Sequence, residues 1–182
     1  GLAGLDAERA GTAETRVSRK ECIMATTKII AEPGLPFIVV TREFNASPDL
    51  LLRAHTEADL YARWIGPLNL TTTVEQLDAR HGGAYRYIQQ DTDGNTYAFR
   101  GVFHGDPSAA GITQTFEWEG MPGHVALDKL TFEKRGDKTL LRGVTTFQSV
   151  EDRDGMVSSG MESGINEGYD QLDELIASLV TA

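Results

Sequence analysis

Apolar and polar residues alternate with a period of two along most of this chain and with a spacing of three to four only near its end. The stretch "PFIVVTREFNA" is β-branched and aromatic and predicts a strand over Phe37–Phe44. "SPDLLLRAHT" then predicts a short helix, with Ser47 as its cap, Pro48 in its first turn and Asp49 at the positive end of its dipole. Thr56 and Asp59 have capping-box spacing for a second short helix in "TEADLYARW", where Leu60 and Trp64 share a face and Gly66-Pro67 ends the run. Six strands follow, over residues 71–77, 84–90, 97–105, 111–120, 124–134 and 139–150. "DTDGNT" and "RGDK" supply tight turns between the second and third and between the last two. One long helix is expected from about residue 151 to residue 179.

Strands grouped together, not interleaved with helices, imply a single α+β domain with a largely antiparallel sheet. Alternation assigns an aromatic row to each strand: Tyr85 and Tyr87; Tyr97, Phe99 and Phe103 with Gly101 between; Ile112, Phe116 and Trp118 with Gln114 among them. A sheet with one apolar face needs a cover. The C-terminal helix offers one, through Met161, Ile165, Tyr169, Leu172, Ile176 and Leu179. Glu162, Glu167, Asp170, Asp173 and Glu174 are assigned to its solvated face. Gly160, Gly164 and Gly168 recur every fourth residue in this helix, each at a cost of about 1 kcal/mol against alanine. Two explanations stand. The missing side chains allow close packing on bulky sheet residues, or they line a cavity for an apolar ligand together with the flexible Met121, Met156 and Met161.

Charge and composition narrow the function classes. The chain has 182 residues and a formal net charge of -10, which argues against a nucleic-acid or anionic-membrane surface. No apolar run approaches the roughly 20 residues needed to span a bilayer, so membrane insertion is not expected. The single cysteine, Cys22, leaves no internal disulfide. A cytoplasmic protein is the expectation. Residues 1–23 are polar, rich in small residues and without a sustained apolar period, whereas "MATTKIIAEPG" from Met24 looks like a natural start. We therefore expect residues 1–23 to be a disordered, non-native leader and residues 24–182 to form the domain.

No nucleophile elbow, phosphate-cradling glycine loop or Cys-His pair is present. His55, His81, His104 and His124 are scattered without metal-ligand spacing, and no cofactor or metal is expected. Gly82-Gly83 is read as a tight turn or bulge. Tyr85, Tyr87, Gln114 and Tyr169 are the polar groups that share faces with the apolar rows. Each tyrosine has the alternative of a structural hydrogen bond in the core. Arg86, Arg100, His104 and Glu117 have the opposite parity and should face outward.

The stretches "TREFNASPDLLLRAHTEADLYARWIGP", "LDARHGGAYRYIQQDTDGNTYAFRGVFHG", "QTFEWEGMPGHV" and "EDRDGMVSSGMESGINEGYDQLDELIASL" resemble the START-like (SRPBCC) superfamily. Within it they are similar to the branch named after the activator of the ninety-kilodalton heat-shock chaperone's ATPase. One departure is His81, where that branch commonly has proline. The resemblance implies a helix-grip (START-like/Bet v-like) fold, a curved antiparallel sheet wrapped around a long C-terminal helix with two short helices after the first strand. It also implies a cavity between helix and sheet. Members of the superfamily bind lipids, hormones or polyketides, and some cyclise polyketides. The chaperone activator also carries a separate N-terminal domain not read in these residues, so the family label is not taken as an activity.

The first expectation is therefore a binder of a small hydrophobic molecule. A polyketide cyclase-like acid-base enzyme, marked by a deep ionisable group with a shifted pKa, and a co-chaperone or interaction module are the alternatives. A homodimer through the outer sheet face also stays open. The candidate pocket draws Tyr85, Tyr87, Phe99, Phe103, Gln114, Phe116 and Trp118 from the sheet, Met121 from the loop after it and Trp64 from the short helix. Met161, Gly164, Ile165, Gly168 and Tyr169 come from the long helix.

Overall fold

A computed structural model describes residues 26–181. The leader expected over residues 1–23 lies outside the described residues. The chain order is β1 (Lys28–Ile30), β2 (Phe37–Phe44), α1 (Pro48–Thr56), α2 (Ala58–Tyr61), β3 (Thr71–Leu77), β4 (Ala84–Gln90), β5 (Thr96–Val102), β6 (Gly111–Trp118), β7 (Val125–Arg135), β8 (Lys138–Thr146), α3 (Val150–Ser158) and α4 (Met161–Val180). The strands form one eight-stranded sheet in the order β1-β2-β8-β7-β6-β5-β4-β3, and every neighbouring pair is antiparallel. The segment from β3 to β8 is a meander of consecutive hairpins. β2 joins it at the far end, paired with β8 from Phe37↔Thr146 to Phe44↔Thr139. This is the α+β helix-grip architecture.

Local chemistry explains the elements. Ser47 caps α1 by accepting the Leu50 N–H at 3.2 Å, with Pro48 and Asp49 in the first turn. The capping box expected for α2 does not form. Thr56 is the last residue of α1, and its hydroxyl donates back to the Leu52 carbonyl at 2.7 Å. Glu57 alone separates the two helices and caps α2 without a side-chain bond, its carboxylate being taken by Arg53 at 2.8 Å. In the β4–β5 turn, Asp91 accepts the N–H groups of Asp93 and Asn95 at 3.0 and 2.9 Å. β5 ends at Val102, earlier than its alternation suggests, and Phe103 continues only as a single bridge to Gln114. The short edge strand β1 was not expected from the pattern.

The long C-terminal helix is two helices. Gly160 adopts φ 85°, a left-handed conformation that a side chain disfavours, and it turns the chain between α3 and α4. Arg153 is the buried residue of α3 and donates to the Glu32 carbonyl at 2.8 Å, which ties α3 to the loop after β1. The C-terminal half of α4 buries Leu172, Leu175 and Ile176 in the main core with Phe44, Leu51, Phe132 and Leu141. Each such side chain contributes roughly 1.5–3 kcal/mol. Met161 and Ile165, in the other half, pack with Ile38, Val40 and Phe147.

The acidic face of α4 is not wholly solvated. Arg42, on the inner face of β2 with Ile38, Val40 and Phe44, is 3% exposed. Its guanidinium donates to Asp170 at 2.9 Å, to Asp173 and to Thr27 at 3.0 Å, and lies over the Phe44 ring. Glu167 accepts the Leu68 N–H at 2.7 Å. The solvent assignment is corrected for Glu167 and Asp173, which are partly buried and paired, while Asp170 is exposed but also paired: α4 is held by ions as well as by apolar contact. The outer face matches its parity, with Arg86 paired to Glu119 and Glu75, and Arg100 paired to Glu117.

Candidate functional site

The N-terminal half of α4 packs on β2 but stands off the inner face of β4 to β8. Between them lies a cavity of about 330 Å³, partly open to the outside. Its size is that of a small-molecule site. Trp64, Ile65, Gly66 and Pro67, after α2, close one side, and Met156 of α3 and Phe147 contribute at another. The Gln171 side chain donates to the Gly66 carbonyl at 3.0 Å and, with the Glu167 contact to Leu68, holds that loop on α4.

The three glycines answer to three different constraints. Gly160 is the left-handed turn residue described above. A Cβ at Gly168 would stand 3.2 Å from the Trp64 carbonyl oxygen, so this glycine serves close approach of α4 to the loop. A Cβ at Gly164 would meet only Pro67, at an ordinary 3.9 Å, and this residue borders the cavity. Close packing therefore operates at Gly168, against loop backbone and not against the bulky sheet residues expected, while Gly164 lies on open space.

Trp64, Tyr87, Phe99, Gln114 and Phe116 stand around the cavity, facing Met161, Gly164, Ile165, Gly168 and Tyr169 of α4. The aromatic wall is continuous. Tyr87 stacks on its register partner Phe99 at 5.2 Å, and Phe99 stacks on Phe116 at 5.4 Å. Tyr61 meets Tyr87 edge-on at 5.7 Å.

Four of the expected residues stand elsewhere. The Tyr85 hydroxyl crosses over Gly101 and donates to the Thr115 carbonyl at 2.5 Å, so Tyr85 is a satisfied core residue. Phe103 is fully buried against Tyr85 and touches no open space. Trp118, though the register partner of Phe99, lies beyond the cavity, 37% exposed, with its ring over Gly120. Met121, in the β6–β7 turn, is 48% exposed.

Beside Gln114, which the sequence pattern pointed to, the cavity holds Asp128 and Thr145, which it did not. Gln114, Asp128 and Thr145 are direct register partners on β6, β7 and β8 and form one polar row across the inner face. Thr145 donates to the Asp128 carboxylate at 2.6 Å, and the Gln114 side chain is a second partner. Asp128 keeps some accessible surface, but that surface opens on the cavity. Burial therefore pushes its pKa up from 3.8 to about 6, against the pull of the Thr145 and Gln114 hydrogen bonds. Burial first, with a smaller push from the Asp128 charge, keeps the phenols of Tyr61, Tyr87 and Tyr169 protonated well beyond the ordinary range.

His55 lines the same cavity. Burial lowers its pKa from 6.5 to about 4, and its Nδ1–H donates to the Leu51 carbonyl at 2.7 Å. Among the described residues, no lysine or arginine borders the cavity, and no group of three or more His, Cys, Asp or Glu could hold a metal ion. Asp128 shares its parity with Ala126, Leu130 and Phe132, so a charged residue within an otherwise apolar row was the available signal. Tyr61 and His55 lie on short helices whose inner faces the pattern did not resolve.

Solved structures share this architecture. A protein from Rhodobacter sphaeroides aligns with a TM-score of 0.76 at 22% identity, covering 83% of this chain and 99% of its own. Protein Ms6760 from Mycobacterium smegmatis aligns with a TM-score of 0.75 at 20% identity, covering 84% and 96%. The AHSA1 protein from Silicibacter pomeroyi aligns with a TM-score of 0.62 at 18% identity, covering 78% and 97%. At these identities the likeness shows the fold. No curated protein sequence matches the chain significantly. Residues 45–177 match the profile of the activator of Hsp90 ATPase homolog 1-like proteins, and the chain belongs to that family.

Proposed function

We propose that this protein binds a small, predominantly apolar molecule between the sheet and α4. The observation that carries the reading is the aromatic-walled cavity of about 330 Å³, held open where Gly164 presents no side chain. Native mass spectrometry of freshly purified protein, before and after mild denaturation, tests it. A small molecule released on unfolding is the expected result. A protein that is purified empty and takes up no apolar probe counts against the reading. The same spectrum reads the mass of any homodimer.

Asp128 favours a second reading, acid–base chemistry on the bound molecule. A carboxyl with a pKa of about 6 in a desolvated cavity is poised to exchange a proton near neutral pH. Turnover separates the two: a ligand recovered chemically altered, with the alteration lost in Asp128→Asn, supports catalysis, and unaltered recovery supports binding alone.

A further inference from the structure

Among the described residues the cavity carries a single formal charge, and its sign restricts what can enter. Asp128 is the one acidic residue these contribute to the lining, and no described lysine or arginine joins it. His55, the other ionisable group of opposite type, is neutral in the fold and spends its Nδ1–H on Leu51. Arg42, on the same sheet face, is committed to Asp170, Asp173 and Thr27 and does not reach the cavity. The remaining titratable neighbours are the phenols of Tyr61, Tyr87 and Tyr169, all protonated.

An ionised carboxylate has roughly four acceptor positions. Thr145 and Gln114 engage Asp128 from the two flanking strands, and the rest face the cavity. Around it stand Tyr61, Tyr87, Phe99, Phe116 and Tyr169. Aromatic faces carry the negative end of the ring quadrupole and attract cations. A ligand with a carboxylate or phosphate group would meet the Asp128 charge and find no cationic donor. A neutral apolar ligand would leave the cavity-facing acceptor positions of the carboxylate unfilled, with only Thr145 and Gln114 as partners.

We propose that the ligand is an organic cation, an apolar amine whose ammonium group donates to the Asp128 carboxylate within the aromatic wall. This assignment rests on the binding reading above and adds the charge of the ligand to it. The negative net charge of the chain, -10, acts in the same direction by drawing cations toward the protein.

Three probes that share one ring system test it: naphthylethylamine, naphthylethanol and naphthylacetate, each titrated calorimetrically into the full chain at neutral pH. The expected order is amine, then alcohol, then acid. The amine should lead the alcohol by about tenfold, the difference between a charge-assisted and a neutral hydrogen bond. In Asp128→Asn, which keeps size and polarity, the amine's lead should vanish while the alcohol changes little. An acid that binds as tightly as the amine overturns the assignment, and so does a lead that survives in Asp128→Asn. The wild-type ranking decides on its own if the variant fails to fold. Equal binding of all three leaves the cavity reading standing and removes only the charge, whereas uptake of none removes the cavity reading as well.

Discussion

Asp128 and Thr145 face each other across adjacent strands, and the Thr145 hydroxyl donates to the Asp128 carboxylate at 2.6 Å. This bond stabilises the ionised form against the effect of burial. Thr145→Val should therefore raise the Asp128 pKa beyond about 6, read by NMR titration of the carboxyl carbon. At neutral pH the same change should cost about 1.5–3 kcal/mol, the usual worth of a hydrogen bond to a charged group. An unmoved titration would show that Thr145 does not control this carboxyl.

The pH dependence of stability should contain two opposed contributions. Asp128 has a folded pKa near 6 against 3.8 when unfolded, so the native state holds its proton longer and stability falls as pH rises through that interval. His55 has a folded pKa near 4 against 6.5, so the unfolded state protonates first and stability falls as pH drops through that interval. Each is worth roughly 3 kcal/mol at 1.36 kcal/mol per unit. Asp128→Asn should gain stability relative to wild type as pH rises from 4 to 7. His55→Gln should narrow its deficit as pH falls over the same range. Urea denaturation at several pH values reads both differences, and parallel curves would contradict them.

Arg42 is an anchor whose removal leaves two carboxylates on α4 without their buried partner. Arg42→Ala should cost about 2–5 kcal/mol, chiefly by emptying the buried space its side chain fills, since Asp170 and Asp173 keep access to water. Arg42→Met should cost less, because it refills the apolar space and because the Arg42 Nε has no hydrogen-bond partner among the described residues. Equal losses in the two variants would show that charge, not packing, sets the value of this residue.

Alanine at the α4 glycines should separate cavity from contact. Gly164→Ala meets only ordinary van der Waals distance and should gain up to about 1 kcal/mol from helix propensity. Gly168→Ala drives a methyl to 3.2 Å from the Trp64 carbonyl and should gain less than Gly164→Ala, or lose. Gly164→Leu should keep the fold and weaken uptake of an apolar probe by filling the space beside Pro67. Thermal melts and probe titration decide.

Gly101 permits the crossing of Tyr85 above β5. A Cβ there would stand 1.9 Å from the Thr115 oxygen and 2.5 Å from the Tyr85 ring. Gly101→Ala should destabilise by at least the roughly 1–3 kcal/mol typical of overpacking. Tyr85→Phe should lose only the hydrogen bond to Thr115, about 1 kcal/mol, with no effect on probe binding.

Much of this architecture was legible because alternation is a strong signal where one sheet face is apolar. Tyr85, Tyr87, Phe99 and Phe116 fell on the inner face by parity alone. What parity does not register is distance from α4. Tyr87 and Phe116 face open space, whereas Phe103, on the same face, is packed solid. The break at Gly160 was missed because glycines at a spacing of four look alike until one of them takes a positive φ. Asp128 and Arg42 were missed for a common reason. Each is a charged residue on an apolar row, and its partners lie on other elements: Gln114 and Thr145 for Asp128, Asp170 and Asp173 for Arg42. His81 stands where the resembling branch commonly has proline, and its surroundings explain the departure. Its N–H donates to Asp106 at 2.8 Å, a bond proline lacks, and its ring accepts the Gly105 N–H at 2.9 Å.

The order of the strands has a consequence for synthesis. β3 to β8 pair with sequence neighbours and can form as each hairpin leaves the ribosome, but β2 pairs with β8, on the order of a hundred residues later, and that closure is slow by topology. At ribosomal speed, the apolar segment Phe37–Val40 waits roughly five to twenty seconds for its partner strand. During that interval the nascent chain exposes a β-branched edge. The step that completes the sheet also brings Ile38 beside Thr145, closing the end of the Gln114–Asp128–Thr145 row.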